Sequence, residues 1–214
     1  MSQRVLCFGD SNTWGFQPGL STRYPESIRW TGKLAYELGP SVTVLEAGLN
    51  ARTTVFDDPL RPYANGRTGL LQDLVEQKPL DLVVLSLGTN DLKYTGAAGS
   101  AKGLRNLLNI LYHTDAFLYF GCPVFPNPPK VLVISPIHIS PELDRINPQS
   151  ELRGKAEESK NFFRFFEPVC RQFGAELLDA SLYAGPSEID GVHMSAESHL
   201  ALGRAIAEKV KQML

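Results

Sequence analysis

The chain has 214 residues, of which 43% are hydrophobic and 21% are charged, and its formal net charge at pH 7 is −2. This length suits one domain with a sizeable core, spanning residues 1–214, and is short for two. The nearly balanced charge gives no electrostatic reason to expect nucleic acid as a partner, and no stretch is apolar enough to span a membrane. The first residues, Met1 to Arg4, carry no secretion signal, which favours a cytoplasmic location.

Five short apolar segments are expected to form the central strands. Two of them, residues 81–87 and 131–134, are nearly continuous apolar runs, which is typical of strands buried on both faces of a parallel sheet. The predicted strands are Arg4–Gly9, Val42–Ala47, Leu80–Leu87, Lys130–Ser135 and Ala175–Leu178.

Amphipathic helical patterns separate these strands. Gly39 is expected to end the first helix, and Ser195 is expected to cap the start of the last one. The alternation predicts a three-layer α/β domain with right-handed crossovers. The apolar stripes are Thr31, Leu34, Ala35 and Leu38; Leu104, Leu107, Leu108 and Leu111; Phe162, Phe166, Val169 and Phe173; and Leu202, Ile206, Val210 and Met213.

Two segments fit this alternation poorly. Residues 113–129 mix aromatic residues with prolines and glycines, which suits a packed surface loop as well as the rim of a site or a subunit contact. Residues 140–158 are charged and contain proline, so we expect an exposed loop. Long loops of this kind are more often functional than idle.

Ser11 follows the first predicted strand directly, in the segment Gly9-Asp10-Ser11-Asn12. The carboxyl edge of an open α/β sheet is where ligands bind. A serine at this edge is a nucleophile only if the chain also supplies a base, a group that orients the base, and donors for an oxyanion.

A candidate base lies near the end of the chain, in Asp190-Gly191-Val192-His193. The spacing allows the carboxylate to reach Nδ1 of the imidazole, which leaves the other ring nitrogen free to accept a proton from serine. Taken alone, this tetrapeptide is more often a surface turn with an incidental histidine.

Candidate oxyanion donors follow the second and third predicted strands. Asn90, in Gly88-Thr89-Asn90-Asp91, offers a side-chain amide, although asparagine in this place also favours a simple turn. The segment Gly48-Leu49-Asn50-Ala51 can supply a backbone N–H, but polar turns after strands are common.

Together these four segments resemble the four marked blocks of the SGNH hydrolases, also called the GDSL esterase/lipase family, and they occur in the family's order over nearly the whole chain. The resemblance implies a flavodoxin-like α/β/α fold with about five parallel strands. It also implies that Ser11 is the nucleophile, His193 the general base and Asp190 the group that orients it.

The resemblance further implies an oxyanion hole made by the Ser11 backbone N–H, the Asn90 side chain and a backbone N–H of the second block. We expect Ala51 to supply that N–H, with Gly48 as the alternative. Asn12 stands where the family has its name-giving leucine.

A narrower resemblance, to the bacterial arylesterase/acyltransferase branch, rests on short segments such as Thr13-Trp14-Gly15 and Ala51-Arg52-Thr53-Thr54. It implies a serine esterase that acts on small alkyl or aryl esters, with water or an alcohol as acyl acceptor, in a homo-oligomer. The alternatives are a carbohydrate acetylesterase, thioesterase or lysophospholipase of the same family, or a non-catalytic binding module that holds phosphate after the first strand.

The sequence also suggests roles for residues outside the four motif segments and for neighbours of Ser11. Arg52 is a candidate partner for Asp57 or Asp58 in the loop after the second strand. We expect no metal and no cofactor, because no histidine or carboxylate cluster has ligand spacing, and we expect Cys7 and Cys170 to be buried thiols. The candidates for lining the substrate pocket are Asp10, Asn12, Trp14 and His138.

Overall fold

A five-stranded parallel sheet forms the centre of the molecule in the computed structural model, which describes residues 2–114 and 123–214. The strands are β1 (Gln3–Gly9), β4 (Val42–Gly48), β5 (Leu82–Ser86), β6 (Lys130–Ser135) and β7 (Glu176–Asp179). They lie in the order β4-β1-β5-β6-β7, and each neighbouring pair is parallel. This is the flavodoxin-like order, as expected from the sequence. Two short antiparallel strands, β2 (Phe16–Gln17) and β3 (Thr22–Arg23), form a separate hairpin.

Helices cover both faces of the sheet. Helices α2 and α8 lie on one face, and α3, α4 and α7 lie on the other. Short 3₁₀ helices span Thr89–Lys93 and Ala180–Leu182. The α-helices of the described residues are α1 (Ser11–Trp14), α2 (Trp30–Leu38), α3 (Gly66–Gln77), α4 (Ala97–Tyr112), α5 (Leu143–Ile146), α6 (Ala156–Ser159), α7 (Phe162–Phe173) and α8 (Ala196–Met213).

Strand β1 shows why the apolar runs are nearly continuous. Leu6 and Phe8 pack into the core on the α3–α4–α7 face, whereas Val5 and Cys7 pack into the core on the α2–α8 face. All four side chains are buried, because both faces of the sheet are covered. Cys7 and Cys170 are free, buried thiols, as predicted.

The ends of the elements follow local signals in the sequence. Gly39 ends α2 with a φ of 72°, and the Ser195 side chain accepts a hydrogen bond from the backbone N–H of Ser198 at the start of α8. Strand β5 is shorter than predicted, since its ladder runs only from Leu82 to Ser86. Among the described residues, no helix is long and apolar enough to cross a membrane.

The sequence predicted an exposed loop at residues 140–158, and this prediction is wrong. The segment contains α5 and α6, and Leu143 and Leu152 are buried, so apolar anchors hold it against the domain. In the other irregular segment, Phe125 is buried and the carbonyl of Val124 accepts a hydrogen bond from Leu80 N. Phe117, Tyr119, Phe120 and Cys122 lie outside the described residues.

Two glycines allow α1 to lie directly on the ends of β1 and β4. A Cβ atom on Gly48 would lie 2.1 Å from the backbone nitrogen of Trp14, and one on Gly9 would lie 2.0 Å from Oγ1 of Thr13. Neither position has room for a side chain, so the packing of α1, which begins at Ser11, depends on both glycines.

We expect Gly48→Ala to lower the free energy of unfolding by about 1–3 kcal/mol, because the added methyl group overpacks the contact with the α1 backbone. The matched control is Gly185→Ala, since nothing lies within 4 Å of a Cβ at Gly185, and we expect it to change the stability by less than about 0.5 kcal/mol. Urea unfolding of both variants checks this, and equal midpoints would contradict it.

Candidate active site

The nucleophile candidate lies in a tightly held turn at the carboxyl end of β1. Ser11 is the first residue of α1, and the carboxylate of Asp10 caps that helix by accepting a hydrogen bond from Asn12 N at 3.0 Å. The helix ends at Gly15, whose φ of 89° needs a glycine. Burial raises the pKa of Asp10 to about 6, although the hydrogen bond from Asn12 and the nearby His193 work against this.

A chain of hydrogen bonds joins Ser11, His193 and Asp190. The distance from His193 Nε2 to Ser11 Oγ is 2.9 Å, and the distance from His193 Nδ1 to Asp190 Oδ2 is 2.7 Å. The carboxylate beside Nδ1 favours the tautomer with its proton on that nitrogen, which leaves Nε2 as an acceptor for the serine hydroxyl. The three side chains that the sequence predicted are therefore together, although 182 positions separate Ser11 from His193.

The loop that carries His193 is shaped by Asp190 itself. Oδ1 of Asp190 accepts hydrogen bonds from the backbone N–H groups of Val192 at 3.0 Å and His193 at 2.9 Å, and Gly191 has a φ of 74°. Burial would raise the pKa of Asp190, but its hydrogen bonds with His193 and with these two backbone groups lower it below the ordinary value. The carboxylate is thus held in its charged form beside the imidazole. The ring of Phe16 lies 4.2 Å from the His193 ring, centroid to centroid.

Asn90 and Ala51 both line the cavity in front of Ser11. The side-chain amide of Asn90 donates to the carbonyl of Arg52 at 3.2 Å, which fixes its orientation. Ala51 has a φ of 65°, an uncommon value for a residue with a side chain, and such residues often mark functional turns. Gly48 is not among the residues that line this cavity, and its place in the structure is explained by its contact with α1.

Asp91 holds the Asn90 turn against the loop after β4. Its carboxylate is fully buried and accepts hydrogen bonds from Thr54 N at 2.8 Å, Thr54 Oγ1 at 2.7 Å and Ser100 Oγ at 2.6 Å. Burial raises the pKa of Asp91 to about 6 in spite of these three hydrogen bonds. A single buried carboxyl group therefore joins both loops that carry candidate oxyanion donors.

Arg52 does not pair with Asp57 or Asp58, contrary to the expectation from the sequence. Its guanidinium group donates to the backbone carbonyls of Gly9, at 3.1 Å, and Ala47, and it lies over the ring of Phe8 at 4.0 Å. The reason is that buried carbonyl groups at the ends of β1 and β4 need donors. Asp58 binds Arg61 instead, at 2.8 Å, and Asp57 accepts a hydrogen bond from Asn65 at 2.7 Å.

The cavity in front of Ser11 has a volume of about 410 Å³. Phe16, Leu152 and Val192 give it an apolar side, and the segment 140–158 contributes to its wall. Within the described part of the chain, no group of three or more His, Cys, Asp and Glu side chains is placed to hold a metal ion. The lining residues are Ser11, Phe16, Gly19, Ser21, Asn50, Ala51, Arg61, Thr89, Asn90, Lys93, Asn147, Ser150, Glu151, Leu152, Asp190, Val192 and His193.

A network of ion pairs forms the polar side of the cavity. Oε2 of Glu151 lies 3.0 Å from Arg61 Nη2 and 3.2 Å from Lys93 Nζ. Arg61 also pairs with Asp58, through Nη1 and Oδ2 at 2.8 Å. Burial would raise the pKa of Asp58, but hydrogen bonds from Arg61, Tyr94 and the Leu60 backbone lower it to about 2. No local sequence pattern predicts this network, because its members come from three separate segments.

The four predicted pocket-lining residues do not line this cavity. Each residue of a helix is turned about 100° from the one before it, so the side chains of Ser11 and Asn12 point in different directions. Asp10 and Asn12 line a second, much smaller cavity, and both are buried. Trp14 lies beneath Arg23, with 5.6 Å between the guanidinium and the ring centre, and the half-buried His138 is absent from the lining of the main cavity.

Residues 7–201 match the GDSL-like lipase/acylhydrolase family. The native aryl esterase of M. smegmatis is 34% identical, with a TM-score of 0.91 over 100% of both chains. Est24, a carbohydrate acetylesterase from Sinorhizobium meliloti, is 35% identical, with a TM-score of 0.90 over 100% of both chains. A carbohydrate acetylesterase family member from Sinorhizobium meliloti is 31% identical, with a TM-score of 0.89 over 99% of each chain. A comparison with curated proteins found no match.

The buried Asp91 predicts an unusual pH dependence of stability. Its pKa in the folded protein lies above the ordinary value of 3.8. Between about pH 4 and pH 6 the folded state therefore binds the proton more tightly than the unfolded state, and this group's stabilising contribution is lost as the pH rises through 6. In wild type, we expect Asp91 to make the free energy of unfolding larger at pH 4.5 than at pH 7, by on the order of 1–3 kcal/mol. We expect Asp91→Asn to lack this contribution.

Denaturant unfolding of wild type and variant at the two pH values measures this contribution. Asp57→Asn is the matched control, because Asp57 is exposed. The same difference between the two pH values in wild type and Asp91→Asn would contradict the prediction.

Proposed function

Because the chain belongs to the GDSL-like lipase/acylhydrolase family and is a carboxylic ester hydrolase, we propose that it cleaves small carboxylic esters through an acyl-enzyme formed on Ser11. The observation that carries this proposal is the hydrogen-bonded chain from Asp190 through His193 to Ser11 at the mouth of a cavity. The cavity volume of about 410 Å³ lies within the usual range for small-molecule sites, ~300–1,000 Å³. A non-catalytic binding module is excluded by membership of this hydrolase family.

In the first half of the reaction, Ser11 Oγ attacks the ester carbonyl carbon while His193 Nε2 accepts the serine proton. Asp190 holds the ring in place and stabilises the imidazolium. The carbonyl oxygen becomes an oxyanion, which the backbone N–H groups of Ser11 and Ala51 and the side chain of Asn90 would stabilise, with a typical donor worth ~3 kcal/mol. His193 then gives its proton to the leaving alcohol as the ester C–O bond breaks.

In the second half, His193 Nε2 takes a proton from water as the water oxygen attacks the carbonyl carbon of the acyl-enzyme. The bond from that carbon to Ser11 Oγ then breaks, and His193 returns the proton to Oγ, which releases the acid and restores Ser11. An alcohol in place of water would give a new ester by the same steps, so acyl transfer is part of the proposal. A single domain over residues 1–214, a homo-oligomer and a cytoplasmic location stay predictions from the sequence.

The charged side of the cavity favours a second, narrower candidate, in which the alcohol part of the ester carries hydroxyl groups. Glu151 forms ion pairs with Arg61 and Lys93. An apolar alcohol group would displace the water around these charged side chains and would offer no hydrogen bonds in its place, which is unfavourable. Hydroxyl groups can both donate to Glu151 and accept from the two cations. Two of the similar structures are described as carbohydrate acetylesterases, which fits this candidate.

We expect Ser11→Ala to reduce kcat on a short-chain aryl ester by at least about 10³-fold, because the reaction loses its nucleophile. The control is Ser2→Ala, at the opposite end of β1, which should keep wild-type activity. A fluorophosphonate probe should label wild type stoichiometrically at Ser11 and leave Ser11→Ala unlabelled. Near-normal turnover by folded Ser11→Ala would refute the triad.

The side of the cavity formed by Arg61, Lys93 and Glu151 predicts a substrate selectivity. This selectivity can be measured with two acetates of similar size, glycerol monoacetate and propyl acetate. We expect Glu151→Leu to lower kcat/KM for the glycerol ester roughly tenfold, equivalent to losing one or two hydrogen bonds, with propyl acetate unchanged or improved. The control is Glu142→Leu, since Glu142 lies in the same segment and pairs only with nearby Arg145 among the described residues. An equal loss on both esters would show that Glu151 supports the cavity without selecting the substrate.

A further inference from the structure

We infer that Asn12 is a positioning residue, whose side-chain oxygen holds the loop of His193 against the helix of Ser11. The inference rests on the proposed triad and adds to it a residue that does not touch the substrate. Asn12 lies outside the main cavity, so the mechanism above gives it no task.

The contact is a buried hydrogen bond between distant parts of the chain. Asn12 Oδ1 accepts from the backbone N–H of Met194 at 3.0 Å, and Met194 is only 1% exposed. Asn12 directly follows Ser11, and Met194 directly follows His193. The bond therefore runs beside the 2.9 Å contact from His193 to Ser11 and joins the same two segments one residue further along.

The other hydrogen bonds of the loop give it its shape. In two of them, the carboxylate of Asp190, which lies within the loop, accepts from the backbone N–H groups of Val192 and His193. A third runs from Ser187 N to the carbonyl of His193 at 2.7 Å. A fourth bond runs from Ser140 N to the carbonyl of Gly191 at 2.9 Å and ties the loop to the segment 140–158. None of these four bonds reaches α1, so they do not set the distance from the loop to that helix. Among the described residues, two hydrogen bonds join the loop to α1, namely the contact of His193 with Ser11 and the bond from Met194 to Asn12.

This second link matters because the first one breaks in every catalytic cycle. Once Ser11 Oγ carries an acyl group it has no proton to donate to His193, yet the imidazole must stay in place to activate water. The hydrogen bond of Asn12 takes no part in proton transfer and persists through the acyl-enzyme. The position of Asn12 is itself fixed, because its own backbone N–H is bound by the Asp10 carboxylate.

The residue type at position 12 fits this role. The family that this chain resembles has leucine in its name-giving motif at this position, and leucine has no hydrogen-bond acceptor. The Met194 N–H is buried here, and a buried N–H without a partner is costly, so asparagine supplies the acceptor that it needs.

The test compares Asn12→Leu, which removes the acceptor at similar size, with Asn12→Asp, which keeps an oxygen in the same place. We expect Asn12→Leu to lower kcat on a short-chain aryl ester roughly 10- to 100-fold, with KM changed less than about twofold, because a misplaced base slows the chemistry and leaves the cavity intact. Asn12→Asp, assayed at pH 8, should recover most of the lost kcat.

The control is Asn109→Leu on α4, a half-buried asparagine that lies outside the cavity and should keep wild-type kcat. Circular dichroism and thermal melting establish that each variant is folded. If Asn12→Leu does not fold, Asn12→Ser replaces it, since the serine hydroxyl is too short to reach Met194, and the same fall in kcat is expected.

Wild-type kcat in folded Asn12→Leu, or Asn12→Asp as slow as Asn12→Leu, would overturn the inference. A rise in KM with unchanged kcat would also overturn it, because that pattern indicates lost substrate binding. Failure of the proposed function is distinguishable, because it would appear as activity in Ser11→Ala, whereas failure of this inference leaves Ser11→Ala inactive.

Discussion

The arrangement of the site depends on one close contact, that of helix α1 with the carboxyl ends of β1 and β4. Gly9 and Gly48 leave no room for a Cβ atom, so the backbone of α1 lies directly on the ends of the strands. Ser11 then lies at the carboxyl edge of the sheet, and the close packing of α1 on the strand ends fixes where its backbone lies. In the proposed mechanism, a serine fixed in this way needs little reorganisation when it reacts.

Buried charges hold the remaining loops to this edge. Arg52 donates to backbone carbonyls at the ends of β1 and β4. Asp91 accepts three hydrogen bonds that join the loop after β4 to the turn of Asn90. Their burial is unfavourable, as the raised pKa of Asp91 shows.

Much of the architecture could be read from the residues themselves. Continuous apolar runs indicated a parallel sheet, and the apolar stripes and caps located α2, α4, α7 and α8. The wrong expectations share one cause. Trp14, His138 and Arg52 are near the site in sequence, but the direction of each side chain depends on the turn that carries it and on which buried groups lack a partner. Local spacing does not contain that information. Arg61, Lys93 and Glu151 were missed for the converse reason, since they meet only when three loops pack together.

The sequence by itself determined the fold class, the family and the order of the four motif segments, because hydrophobic periodicity and short motifs are local properties of the chain. Only the tertiary structure decided which side chains share a cavity and which hold the cavity in shape. It placed His193 at 2.9 Å from Ser11, placed the Asn12 side chain against Met194 and outside the main cavity, and gave that cavity a side lined with charged residues. The physical reason is that hydrogen bonds and ion pairs act over about 3–4 Å, and distances of that size between remote residues are set by the packing of the whole core.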